Sequence, residues 1–343
     1  MRKLLNCLFV TSEDVYLALD GENVVVYREK EIVSRYPLHI LSEIFCFSYK
    51  GASPALMGAC AERNITLSFI TPKGKFLARA CGKTSGNVLL RRKQYRIADD
   101  SIISCEIARN FIFGKIYNSR WSIERTLRDH KLRVNTEKLK KASDQLKELL
   151  PLIKDENSME SLRGLEGKGA TIYFGVLDDL ILNMKNDFFF KERNRRPPLD
   201  NVNAMLSFVY VLLASSCASA LESVGLDSYV GFMHTDRSGR ISLALDLMEE
   251  LRPCFADRFV LTLINNKIMN VDCFEKHESG AVLLNEVGRK KILEQWQKKK
   301  QEEITHPYLE EKMQWGLVPY VQALLLSRYL REDLDAYPPF LWK

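Results

Sequence analysis

The chain reads as an α+β protein, with a small N-terminal β-rich domain followed by a larger all-α domain. Three observations predict this. Short alternating segments separated by turn residues fill roughly the first ninety residues. The composition changes at the basic stretch "RRKQYRIADD", residues 91–100. Beyond it, helical periodicity replaces alternation. At 343 residues the chain is long for one core, and the reading divides it into domains at 1–92 and 93–343.

Taken in order, strands are expected near Val15–Leu19, Val24–Tyr27 and Ile32–Tyr36. Asp20-Gly21 supplies the first reversal and the charged "REKE" the second. "SPALMGACAERN" predicts a helix begun by Ser53 or Pro54, and "ITLSFITPKGKFLARAC" returns to strands around a turn at Pro72–Gly74. The first domain is therefore expected to be mostly antiparallel. In "TEKLKKASDQLKELLPLI", Leu139, Ala142, Leu146, Leu149 and Ile153 share one helix face, with Pro151 expected to bend or break it. Further helices are expected at 159–184, 202–223, 243–264 and 278–300. Ala204–Leu221 carries no charge and approaches the length of a membrane span. A central helix buried on all sides explains it better, so no membrane partner and a cytoplasmic location are expected.

Composition narrows the function classes. An apolar fraction of 46% and a charged fraction of 27% describe an ordinary globular protein, and a net charge of +6 leans only slightly toward a polyanionic partner. The eight cysteines contain no CxxC pair, which argues for reduced thiols and against a zinc ribbon or disulfide framework. "MRKLLNCLFV" is too short and too interrupted, by Asn6, for a secretory signal. No Gly-rich phosphate loop, GxSxG elbow or HExxH helix occurs.

Two segments could carry chemistry. "SLRGLEGKGATIYFG" sets Glu166 among Gly164, Gly167 and Gly169 on a pattern otherwise suited to a helix. Each glycine costs a helix roughly 1 kcal/mol relative to alanine, so something other than helix stability requires them. "GFMHTDRSGRISLALDLMEELRP" runs from His234 to a helix bearing Asp246, Glu249 and Glu250. Three crowded acids repel unless a cation sits among them. The plainer alternative is a solvated acidic surface paired with Arg252 or Arg240. Adding Glu166 to His234 and the acids makes an oxygen-and-nitrogen donor set suited to Mg²⁺ or Mn²⁺. Among the basic clusters, the proline-stiffened "KERNRRPPLDN" holds Arg193, Arg195 and Arg196 ready for phosphates, whereas Lys298–Lys300 reads better as a solvated helix face.

Together these segments resemble the CRISPR-associated spacer-acquisition integrases, the larger of the two core adaptation proteins. "LRGLEGKGATIYF", "NRRPPLDNVNAMLSF" and "GFMHTDRSGRISLALDLMEELRP" are similar to three motifs of that family in order and spacing. The resemblance implies a divalent-metal-dependent DNA endonuclease/integrase with no nucleotide cofactor. It places Glu166, His234 and Glu249 as metal ligands and catalytic residues, and Asp246 as a ligand or a residue supporting one. Gly169 stands where the motif often has alanine, a departure expected to affect packing. The implied reaction is transesterification, with the 3′-hydroxyl of a foreign DNA fragment attacking at the edge of a CRISPR repeat. The implied partners are double-stranded DNA, a second copy of the chain joined through the β-rich domain, and a small ferredoxin-like subunit. A separate end-processing nuclease is a further candidate. Arg163, Lys115, Asn118, Arg195 and Arg196 are candidates for DNA contact. A membrane or signalling role would rest on Ala204–Leu221 alone, and two stronger rivals stand beside this reading. One is a general metal-dependent nuclease acting on repair or recombination intermediates, with water as the nucleophile. The other is a DNA-binding scaffold with an inactive site.

Overall fold

The computed structural model describes residues 6–71, 76–80 and 88–343. The turn expected at Pro72–Gly74 and the thiol of Cys81 lie outside the described residues. The chain forms two compact units. The first comprises Met1–Gly86 with two returning segments, Leu284–Glu303 and Gln314–Leu317, and the second holds the remainder.

In the first unit, β2 (Val15–Asp20), β3 (Asn23–Arg28) and β4 (Glu31–Pro37) form the expected antiparallel meander. Gly21 and Glu29, at the two reversals, both take positive φ, which the tight turns require. A second sheet departs from the antiparallel expectation. It has the order β1 (Asn6–Val10), β5 (Leu41–Cys46), β6 (Thr66–Ile70), β7 (Phe76–Ala80), and its first two pairings are parallel. The reason is α1 (Pro54–Glu62), which crosses over between β5 and β6 as parallel pairing demands. Ser53 caps it by accepting from the Leu56 amide. Val15, Leu17, Val24, Ile44, Leu56 and Leu67 pack as one core. Burying each such side chain contributes about 1.5–3 kcal/mol. The helix expected at 278–300 is found over Glu286–Gln301, preceded by two short paired strands, and it belongs to this first unit.

The second unit is helical. After α2 (Val88–Asp99), α3 (Ser101–His130) is started by Asp100, which accepts from the amides of Ile102 and Ile103. It packs against α4 (Thr136–Asp155), α5 (Met159–Phe174) and α7 (Ser242–Leu251). α4 continues through Pro151 rather than breaking there. α5 stops well before residue 184 and gives way to a short 3-10 turn at Leu177–Leu180. α6 (Asn201–Ser223) is the apolar helix. It is long and apolar enough to cross a membrane by length and composition, but 72% of its most apolar window is buried inside the protein. The expected helix at 243–264 is interrupted between α7 and α8 (Arg258–Asn265) by a π-helical turn at Arg252–Asp257. Pro253 has no N–H to donate to the carbonyl of Glu249, so the α-helical ladder must widen there.

Candidate metal centre

The candidate residues gather where α3, α5 and α7 meet in the second unit. Gly169 explains part of the glycine-rich stretch. A Cβ there would stand 2.1 Å from Ile116 Cδ1, so its absence lets α5 lie close against α3. Gly164 and Gly167 are exposed, and a Cβ on either would meet nothing within 4 Å. This close crossing brings Glu166 to Lys115, one helix to the other, as a direct ion pair. The Lys115 ammonium also lies 2.8 Å from Glu249 Oε2 on α7. Arg252 places a guanidinium nitrogen 3.1 Å from Glu249 Oε1.

The acids of α7 are not a solvated surface, for Asp246, Glu249 and Glu250 are respectively 0%, 3% and 0% exposed. Each has a different task. Asp246 Oδ2 accepts from the amides of Phe232 (2.7 Å) and Met233 (3.0 Å), and Oδ1 from the His234 amide (3.1 Å). Oδ1 also bonds the His234 ring at Nδ1, 2.5 Å away. Its lone pairs are thus committed to shaping the loop and fixing the imidazole. That is the arrangement by which a carboxylate orients a metal-binding histidine from behind, leaving Nε2 for the ion. Of the two roles open to Asp246, the geometry supports the supporting one. Gly231 is required beneath it, since a Cβ there would come within 2.8 Å of Asp246 Oδ2.

Burial pushes the Glu249 carboxyl up, but Arg252 and Lys115 outweigh it and hold the group down at about 2. Glu249 is therefore ionised, as a metal ligand must be. Its Oε2 is buried and receives no well-aligned hydrogen bond despite the nearby ammonium, so this oxygen keeps a lone pair for a cation. His234 is near enough to Glu249 to act on it electrostatically. Among the described residues, no three acidic, histidine or cysteine side chains yet stand close enough to share one ion directly. The Lys115 ammonium marks the position between Glu166 and Glu249 as one that accepts positive charge. Two carboxylates and an oriented imidazole fit Mg²⁺ or Mn²⁺ by donor chemistry.

The candidate DNA contacts separate into two groups. Arg195 and Arg196 are exposed on their loop, and Arg163 is exposed while one of its nitrogens donates to the Met233 carbonyl at 2.7 Å, bracing the His234 loop. Lys115 and Asn118 are buried. Asn118 donates to the carbonyls of Glu250 and Phe340, both at 2.7 Å, and accepts from the Trp342 amide at 2.8 Å. Its polar groups are spent on clamping the C-terminal segment, which speaks against contact with DNA. That clamp was invisible in the sequence, as was the part that Glu250 plays beside it. Glu250 accepts from Tyr337 Oη (2.5 Å), Gln322 Nε2 (2.9 Å) and the Phe340 amide (2.9 Å). Tyr210 was missed too, because it sits inside the apolar run "SFVYVLL".

Comparison with known proteins places the chain. The family described as CRISPR associated protein Cas1 matches residues 8–298. A relative from Chlorobaculum tepidum named CRISPR-associated endonuclease Cas1 is 45% identical over 343 residues, covering 100% of both chains. A solved casposase bound to integration product shares 23% identity with a TM-score of 0.83, covering 99% of this chain and 95% of its own. A chain from a Cas6-RT-Cas1–Cas2 complex shares 22% identity with a TM-score of 0.81, covering 100% of this chain and 37% of its own.

Proposed function

The chain belongs to the CRISPR-associated Cas1 family, and from that premise we propose that it is a divalent-metal-dependent DNA integrase of CRISPR adaptation. It joins the 3′-hydroxyl ends of a foreign DNA fragment to the CRISPR repeat by transesterification. The observation that carries this reading is the meeting of Glu166 and Glu249 on one cation, beside an imidazole fixed by a buried carboxylate.

Mg²⁺ or Mn²⁺ held by Glu166, His234 and Glu249 would polarise the phosphoryl group and lower the pKa of the attacking hydroxyl. The protein's own groups do the rest. Asp246 keeps the His234 ring in one orientation and one tautomer, with the proton on Nδ1. Arg252 and Lys115 keep Glu249 ionised and bring positive charge to the place where a phosphodiester would gather negative charge. The exposed Arg195 and Arg196 would hold flanking phosphates and set the register of the duplex without reading its sequence. The partners in this reading are duplex DNA, a second copy of the chain, and a small ferredoxin-like subunit. A Cas2 assembly recorded for a structural neighbour supports the last of these.

The endonuclease name of the Chlorobaculum relative supports a second reading in which water replaces the 3′-hydroxyl as nucleophile. One experiment separates the two. Labelled fragments with free or blocked 3′ ends are incubated with a supercoiled plasmid carrying a CRISPR repeat, with Mn²⁺ or chelator. The integrase reading expects label in the plasmid, lost with blocked ends, with chelator, and in Glu166→Ala and His234→Ala proteins that still fold. Plasmid cleavage indifferent to the 3′ ends would establish the nuclease instead.

A further inference from the structure

Tyr210 lies away from the candidate ligands, yet it is connected to one of them by an unbroken stack of side chains. Two guanidinium groups lie over its ring, Arg252 at 5.0 Å and Arg193 at 5.3 Å from the ring centroid. The Tyr210 hydroxyl donates to the buried Asp257 at 2.6 Å, which fixes the rotation of the ring. On one side of the stack, Arg252 pairs with Glu249. On the other, Arg193 donates to Asn203 Oδ1 (2.7 Å) and Ser207 Oγ (3.1 Å). Asn203, Ser207 and Tyr210 recur at helical spacing on α6, so one face of that helix organises both the ring and the arginine laid over it. Arg193 opens the loop that exposes Arg195 and Arg196.

The Nε atoms of Arg193 and Arg252 are both buried and have no hydrogen-bond partner. What faces these guanidiniums is the π-face of the tyrosine, which attracts cations held out of water. An aliphatic side chain would leave two nearby like charges without that attraction. The ring attracts both, so Arg252 is held toward the carboxylate it pairs with.

We propose that Tyr210 is a positioning residue for strand joining: with Arg193 and Arg252 both laid over it, its ring sets Arg252 against Glu249 and ties that carboxylate to the arginine–proline loop. The inference rests on the integrase reading above. It requires the aromatic ring, and it places the hydroxyl in a lesser role.

The test compares wild type, Tyr210→Phe, Tyr210→Leu and Arg193→Gln in single-turnover joining at saturating Mn²⁺ and DNA. Partners that orient a metal ligand commonly contribute about 10–100-fold to activity or metal affinity. Tyr210→Leu should lose rate within that range while the DNA concentration for half-maximal rate stays put. Tyr210→Phe should rescue it to near wild type, and Arg193→Gln should fall between. Mn²⁺ affinity read by EPR should follow the same order. The guanidinium protons should show ring-current shifts in wild type and Tyr210→Phe, with neither metal nor DNA present. Those shifts identify a Tyr210→Leu protein that keeps its fold but has lost the stack. An active wild type with Tyr210→Leu equal to Tyr210→Phe in rate and Mn²⁺ affinity overturns this inference alone. A wild type that joins no DNA with metal and partner supplied overturns the integrase reading, and this inference falls with it.

Discussion

Glu249 and Glu250 are the same residue type, adjacent on one helix and both buried, yet the protein uses them in opposite ways. Glu249 faces Lys115 and Arg252, and those cations overcome burial to hold its carboxyl down at about 2. Glu250 points to the other side, toward the C-terminal segment. Burial pushes its carboxyl up to about 7, and its partners are neutral donors from Tyr337, Phe340 and Gln322. A buried charge is tolerated where opposite charge compensates it, and otherwise the group tends to neutrality. The contrast separates their surroundings: the first carboxylate faces two cations, the second packs against neutral donors.

The sharpest way to break this comparison is to neutralise each carboxylate in turn. Glu249→Gln should lower metal-dependent joining by roughly a thousandfold or more, about 4 kcal/mol of transition-state stabilisation, while circular dichroism still reports a folded protein. Glu250→Ala should act on stability first. It leaves the Tyr337 hydroxyl proton and the Phe340 N–H without an acceptor inside the protein, while Gln322 keeps Tyr337 Oη and the Pro338 carbonyl, a loss of about 3 kcal/mol measured by denaturant unfolding. If Glu250→Ala abolished joining with its unfolding midpoint unchanged, the division of roles would be wrong.

Asp257 sharpens the comparison because it lies between the two extremes. Burial raises its carboxyl to about 6, against the downward pull of the Tyr210 hydroxyl and of Arg252 and Arg193. Folded Asp257 keeps its proton up to about pH 6, whereas the unfolded carboxyl releases it near 3.8. Between those values the folded state binds more protons, so this group's contribution makes stability fall as pH rises, and the fall levels off above pH 6. The change should amount to about 2–3 kcal/mol at most. Unfolding free energies of wild type and Asp257→Asn, compared from pH 4 to 7, should differ in slope in that direction. Parallel profiles would mean that the guanidiniums prevail at Asp257 as they do at Glu249.

How much of this was legible in the sequence depended on how many sides each element buries. β2 alternates buried with half-buried residues, and α4 has a single apolar stripe, so their periodicity showed. α3 packs against α4, α5 and α7, and its buried residues therefore recur on several faces and leave no simple period. The break between α7 and α8 was signalled by Pro253 and passed over, because apolar spacing continues on both sides of it. At the site, residue type and motif order pointed to Glu166, His234 and Glu249. Which acid takes which role was not legible, since Asp246, Glu249 and Glu250 differ only in what lies opposite them. The clamp by Asn118 and the stack on Tyr210 join residues distant in the chain, and no local pattern announces them.

The smallest expected effect returns to the glycines around Glu166. Gly169 is explained by its closeness to Ile116, but Gly164 and Gly167 face open space with ordinary helical neighbours. Nothing within the fold asks for glycine at either position. Gly167→Ala should therefore stabilise α5 by about 1 kcal/mol, read as a raised unfolding midpoint. An alanine so inexpensive to accommodate leaves the glycine without a folding reason, and Gly167 adjoins Glu166 on an exposed stretch of helix. If that bare surface admits a DNA backbone, the stabilised protein should join strands several-fold more slowly, with a weaker apparent affinity for DNA. Full joining activity in the stabilised variant would show that DNA does not approach α5 closely at Gly167, and that the approach to Glu166 lies on the side of Arg163 and the His234 loop.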